Sequence, residues 1–538
     1  MSTTIAPKAL PDSVPAAHVV SAKWGMAAPQ VFVVAGFCLF FLYHNYLPLF
    51  HSDLWGHVAY GDWILTHGRL PQEDPFTELA AGVPLTATAW LSQVLLALAG
   101  RGTDPERLAH VFAAIGLASY LILARTYFLQ TRWLTLSAAG TFAAFLVTWS
   151  RHAVQRPENF GLFCLAVLLW CVIRSDRRDR ADSWRWPVSI GLTLALWANL
   201  HGSFIVGIAV LVCWVTGRAI DAALLSGRLL AFFRDATFWR RLWCLEFALL
   251  GSCFNPYGFD LLLQTLVFPT HPNLNSVLEW FPLEMKSLEG LPMALSWVMT
   301  GVVLRLSQRR MSAVEVLWLL VLNAAVCLRV RMIAWYGPIW ILALLPHVAE
   351  ILSRAADSPA LTSWQTRFAA WTQPSIHWTA VTVLLVWMTF AFAPISRPVL
   401  GGTPRRADQV FSHETPLKVT RYLHDHPPSG LVFAPQWWGD WLTWRGPSEI
   451  RVMMTTNAIH LAPPQVWQDY LTISMAEPGW EQRLDRYRIN TVVASVELQP
   501  ELCRSLEQSP DWRIEFEDAV GIVARRKVLK SVALRGSP

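Results

Sequence analysis

The stretch His51-Ser52-Asp53-Leu54-Trp55-Gly56-His57 sets an acid and an imidazole four residues apart. On a helix such residues share a face. The Asp53 carboxylate could take a proton from an incoming hydroxyl while the His57 ring orients or buffers it. The plainer reading is that Asp53 caps a helix and His57 is an interfacial residue. Arg151-His152-Ala153-Val154-Gln155-Arg156-Pro157-Glu158 puts two guanidinium groups and a carboxylate between two apolar runs. Guanidinium groups at headgroup depth suit a phosphate through forked hydrogen bonds. Snorkelling onto lipid phosphates is the alternative. Asn199-Leu200-His201-Gly202 closes another apolar run, and Glu279-Trp280 lies in a later polar loop. Arg329 and Arg331 flank Val330 at the end of a further run. In Glu73-Asp74-Pro75-Phe76, Asp74 is most simply a turn residue.

Groups this scattered act together only if larger elements gather them, and composition says which elements those are. Of 538 residues, 54% are hydrophobic and 15% charged, with 29 Trp and 27 Phe, and mean hydropathy is +0.34. These values exclude disorder, coiled coil, collagen and a chain of soluble domains. They leave a mainly α, polytopic helical membrane bundle in contact with the lipid bilayer. The net charge of +6 is small for the length, and no basic run is interleaved with aromatics, so nucleic acid is not an expected partner. Of the eight Cys, only Cys503 falls in a polar region, and there is no CxxC. His424-Asp425-His426 lacks a properly spaced third ligand. No P-loop, HExxH or GxSxG signature occurs. Neither a metal nor a cofactor is expected.

Residues 1–28, rich in Pro and Ala, read as a flexible N-terminal segment ahead of a retained first span. About eleven spans are expected over 29–395: 29–48, 106–128, 133–150, 158–174, 186–200, 203–220, 240–254, 292–306, 312–329, 331–348 and 377–395. Arginine-rich stretches between Arg174 and Arg185, between Arg218 and Arg241, and at Arg305, Arg309 and Arg310 mark cytoplasmic loops. Alternation then puts the N-terminus inside and gathers Asp53, Arg151 to Glu158, His201, Glu279 and Arg329 to Arg331 on the extracytoplasmic face. Residues 86–100 are apolar but short, and read as an interfacial or re-entrant helix within a long outer loop, 49–105. The tail, 396–538, alternates strand patterns (430–434, 450–454, 490–494, 519–523) with helical ones (416–426, 463–471, 480–486, 500–508), which predicts a small extracytoplasmic α/β domain.

The order Asp-x-Trp-x-His, Gly68 to Thr77, Trp90-Leu91, Arg156-Pro157-Glu158, Asn199 to Gly202, Asn255-Pro256-Tyr257-Gly258 and Glu279-Trp280 resembles bacterial integral-membrane glycosyltransferases of the GT-C superfamily. These include the polyprenyl-phosphate-sugar mannosyltransferases and the aminoarabinose and RgtA/B/C/D-like transferases. The tail's Gln436-Trp437-Trp438-Gly439-Asp440-Trp441 and its strand pair from Trp512 to Arg525 are similar to the terminal domain of such proteins. The resemblance implies an inner-membrane enzyme that moves a sugar, with inversion, from a polyprenyl-phosphate-linked donor to a glycan, lipid or protein acceptor. It implies Asp53 as general base with His57 beside it. Arg151, Arg156, His201, Arg329 and Arg331 would hold the donor phosphate, and Asp74, Glu158 and Glu279 would lie on the acceptor side. The first loop has Ser52 where the family often pairs acids, and the tail has Thr455-Thr456-Asn457 in place of an Asp-Gly-Arg-like turn. The tail reads as a lid or acceptor-recruiting module. A transporter of lipid-linked saccharide, or a non-catalytic scaffold, is the alternative; a transporter would be expected to carry mid-span charges and repeat symmetry.

Overall fold

The computed structural model describes residues 24–50, 53–101, 104–176, 184–356 and 372–527. Most of the expected flexible segment 1–28 therefore lies outside the described residues. Every stretch read as a span is helical: α1 (Ala28–Tyr46), α4 (Glu106–Thr131), α5 (Leu134–Val147), α7 (Glu158–Asp176), α8 (Arg185–Leu200), α9 (Phe204–Ser226), α10 (Ala236–Ser252), α12 (Gly290–Leu306), α13 (Ala313–Leu328), α14 (Ile333–Ala356) and α15 (Ile376–Phe392). Helicity and crossing are different matters. Five segments (α1, α4, α7, α9 and Val330–Ala356) have the length and hydropathy that crossing needs, and α15 makes a sixth if the chain is followed through an 81° bend into Pro394–Leu400. At 1.5 Å per residue the 14 residues of α5 reach only about 21 Å, short of a hydrocarbon core of about 30 Å. α7 and the Val330–Ala356 segment are the most enclosed, each 78% buried over its most apolar window, and form the middle of the bundle.

The segment after the first span supplies two shorter helices, α2 (Leu54–His67) and α3 (Trp90–Gly100). At 11 residues, α3 extends only about 16 Å. It packs closely on α2, because a Cβ at Gly61 would lie 2.0 Å from the Gln93 carbonyl oxygen. That approach brings the Gln93 side chain to His57.

The tail forms a five-stranded mixed sheet in the order β2-β1-β3-β5-β4, with β1 Leu431–Phe433, β2 Arg451–Val452, β3 Thr491–Ser495, β4 Trp512–Glu517 and β5 Gly521–Arg526. β1 runs parallel to β2 and β3, with Val432 opposite Thr491. β5 is antiparallel to both β3 and β4. All five residues of β3 are buried, as expected of a central strand. The expected helices form, and an additional one, α17 (Gln436–Arg445), follows α16 (Leu417–Asp425) and β1.

This domain docks on the bundle through α17 and α2. Trp55 stacks on Trp444 at 4.8 Å and meets Trp441 edge-on at 5.1 Å. Asn273 of the loop after α10 donates to the carbonyls of Ile459 and Ala462 at 2.6 and 2.9 Å. The linker is tied down where Arg397 and Arg405 both bond the buried Glu106 at the start of α4.

Candidate active site

Asp53 immediately precedes α2 in helical geometry, and its side chain makes no cap hydrogen bond. It turns instead to Arg156, whose Nε donates to Asp53 Oδ1 at 2.8 Å. His57, one turn along α2, places Nε2 3.9 Å from Asp53 Oδ2, while Gln93 Nε2 lies 3.1 Å from His57 Nδ1. The two side chains share the helix face that the spacing predicts, and Gln93 of α3 holds the His57 ring from behind. Burial would raise the Asp53 carboxyl, but Arg156 and His57 outweigh it and hold it below its ordinary value. Burial lowers the His57 ring, with Asp53 opposing only in part, so the ring is neutral at pH 7.

Behind this pair lies a charged network. Glu279 Oε2 accepts from Arg151 Nη1 at 2.9 Å and from Arg156 Nη1 at 2.8 Å, and Glu279 Oε1 accepts from Arg331 Nη1 at 3.1 Å. Arg151 also donates to Glu158 Oε2 at 3.0 Å. Burial alone would raise the Glu279 carboxyl; Arg156, Arg331 and Arg151 together hold it well below the carboxylate range. Arg331 lies over the Trp280 ring, 4.4 Å from its centroid. Arg329 donates to the Trp280 carbonyl at 2.7 Å and has no carboxylate partner among the described residues.

His201 has a fixed tautomer. The Ser203 backbone N–H points at its Nδ1 at 3.2 Å, with Ser203 Oγ at 2.7 Å. A backbone N–H can only donate, so Nδ1 is the acceptor and Nε2 carries the proton. Trp197 Nε1 donates to the same Oγ at 3.0 Å, which leaves the hydroxyl proton for His201. Burial lowers the ring to about 4, so at neutral pH His201 is an uncharged donor.

One cavity of about 410 Å³ joins these groups. Asp53, His57, Glu158, His201, Glu279, Arg329 and Arg331 line it. Arg151 and Arg156 do not line it; they stand behind the carboxylates. Asp74 is outside the lining and behaves as a turn residue, its Oδ1 accepting from Tyr60 Oη at 2.7 Å and from the Phe76 N–H at 3.0 Å. Sequence reasoning missed Gln93, Asp440, Thr456 and His460, which also line the cavity. Asp440 arrives from α17 because α2 has glycine at position 56, where a Cβ would meet Asp440 Oδ1 at 2.6 Å. A carboxyl set among four tryptophans in a ten-residue helix was the available signal. Among the described residues, potential metal-ligand atoms group only at His413, Glu414 and Glu497, none of which lines the cavity.

With its histidines neutral, the network sets four guanidinium groups against three carboxylates. The excess positive charge rests with Arg329 and Arg331, which open to the cavity. The site can bind an anion there and accept a proton at Asp53.

No protein-family model matches the chain, and no curated protein matches it by sequence. Solved structures do resemble it. The oligosaccharyltransferase of Archaeoglobus fulgidus in its apo form aligns with a TM-score of 0.53 at 13% identity, over 87% of this chain and 70% of that one. ArnT from Cupriavidus metallidurans aligns at 15% identity over 92% of this chain and 97% of that one, with TM-scores of 0.50 bound to undecaprenyl phosphate and 0.52 in the apo state. The fold is that of the GT-C membrane glycosyltransferases. The resemblance drawn from the sequence holds at this level, and the GT-C alignment with ArnT spans bundle and tail alike.

Proposed function

We propose that the protein is a membrane glycosyltransferase that moves a sugar from a polyprenyl-phosphate carrier to an acceptor hydroxyl on the extracytoplasmic face, with inversion. The carrying observation is the cavity in which a carboxylate held ionised at Asp53 shares a wall with an excess guanidinium charge at Arg329 and Arg331. The acceptor oxygen attacks the anomeric carbon while Asp53 takes its proton. The bond from that carbon to the phosphate oxygen breaks, and the leaving phosphate keeps the electron pair. Its developing charge falls on Arg329 and Arg331, with the Nε2–H of His201 as a neutral donor. Arg151 and Arg156 serve as positioning residues: they hold Asp53, Glu158 and Glu279 rather than the donor.

The undecaprenyl phosphate bound to ArnT supports the choice of carrier. Polar groups gathered at one end of the bundle favour interfacial chemistry over transport. The test is transfer of radiolabel from polyprenyl-phosphate-linked sugars into membrane material by wild-type protein and by Asp53→Asn. The variant is expected to fold and to lose transfer by about 10²- to 10⁴-fold. Full transfer by the folded variant would remove Asp53 as the base.

A further inference from the structure

The wall built by α3 and the tail domain differs in chemistry from the wall that holds the arginines. Gln93, Asp440 and Thr456 line it. Gln93 Oε1 and Asp440 Oδ2 are each buried with no hydrogen-bond partner among the described residues, and the Thr456 hydroxyl lies beside the Asp440 carboxyl. Asp440 and Thr456 are neighbours, joined where the Thr456 N–H donates to Asp440 Oδ1 at 3.2 Å. Buried polar atoms are rarely left unpaired, so two of them in one cavity wall, beside the Thr456 hydroxyl, indicate a ligand that completes them.

Their capacities define that ligand. The Gln93 amide nitrogen faces His57, which leaves its carbonyl oxygen to accept. The Thr456 hydroxyl can donate or accept. Burial holds the Asp440 carboxyl well above its ordinary range, and the nearby Asp53 adds to this. Burial thus favours the protonated acid, in which Oδ1 accepts from the Thr456 N–H and Oδ2 carries the proton. In that form the wall offers one acceptor, one donor and one group that does either, a set that fits the adjacent hydroxyls of a sugar ring. A phosphate or carboxylate would require cations, which these three residues do not supply.

We infer that Gln93, Asp440 and Thr456 form a saccharide subsite, which makes the C-terminal domain part of the active site rather than a cover over it. The sugar is either the one transferred or the one receiving it, so the inference rests on the transferase reading.

The experiment uses full-length protein in nanodiscs and two probes. Saturation-transfer NMR follows a panel of neutral methyl glycosides, and undecaprenyl phosphate binding is measured separately. At least one glycoside is expected to bind. Asp440→Ala and Gln93→Ala should each weaken it by about 5-fold or more, and Asp440→Asn should keep it within about 2-fold because an amide N–H replaces the acid O–H. Undecaprenyl phosphate affinity should be unchanged in all three, which also shows that they fold. Glycoside binding that survives Asp440→Ala and Gln93→Ala, or that Asp440→Asn destroys, overturns the subsite. Undecaprenyl phosphate binding without glycoside binding overturns the subsite and leaves the donor reading intact; loss of both in wild-type protein overturns the donor reading as well. A glycoside displaced by undecaprenyl-phosphate-linked sugar, but not by undecaprenyl phosphate, marks the donor sugar's position. One that remains bound marks the acceptor's.

Discussion

Glu106 and Glu279 are each held by more than one arginine, and they do different things. Glu106, 1% exposed, bonds Arg397 and Arg405 at the junction of bundle and tail. Glu279 bonds Arg151, Arg156 and Arg331. Glu106 borders no part of the cavity, whereas Glu279 lines it together with Arg329, which has no carboxylate partner among the described residues. An ion cluster alone is therefore weak grounds for function. Open space and unbalanced charge separate the site from the brace.

The contrast can be broken by mutation. Arg156→Ala is expected to do the most damage, since it strips both Asp53 and Glu279 of an ion-pair partner. Transfer should be abolished and stability should fall by about 3–5 kcal/mol, read by activity and thermal unfolding together. Glu106→Ala should lower stability by about 3 kcal/mol while leaving turnover per folded molecule unaltered. Reduced turnover in the folded Glu106 variant would show that the brace is part of the chemistry.

Smaller effects sharpen the picture. His57 is lowered by burial and His201 to about 4, and Asp53 titrates below its ordinary 3.8. At and above pH 7 all three keep one protonation state, so kcat/KM should be flat from about pH 7 to about pH 8 on the enzyme's account. A limb centred near 6.5 would mean that a histidine charges in the working cycle. Asp440 has the opposite sign from Asp53. Its raised folded value means that the native state retains a proton which the unfolded chain has already released above about pH 4. Its contribution to stability is therefore greatest in acid and declines as pH rises towards the folded value. Asp440→Asn should flatten that slope in thermal unfolding above about pH 4.

The sequence made the bundle and much of the site legible for identifiable reasons. Long apolar runs mark helices whatever their length, so all eleven stretches are helical; crossing depends on length, and α5 or α13 is too short for hydropathy to decide. Asp53, His57, Glu158, His201, Glu279, Arg329 and Arg331 were singled out as polar groups at or near the ends of apolar runs, and they line one cavity. Nothing in spacing could show that Arg151 and Arg156 are consumed by carboxylates more than 100 residues away. Nor could it show that Asp74 bonds Tyr60 outside the cavity. Asp440 was invisible for a related reason: its place depends on the domain docking against Gly56.

The most direct test of the central claim is undecaprenyl phosphate binding to protein in nanodiscs, comparing wild type with Arg329→Ala and Arg397→Ala. The account predicts that Arg329→Ala weakens binding by about 10- to 100-fold, as loss of a charge-assisted phosphate contact should, and that Arg397→Ala binds as wild type does. Equal affinity in wild type and Arg329→Ala, or a loss in Arg397→Ala alone, would contradict it.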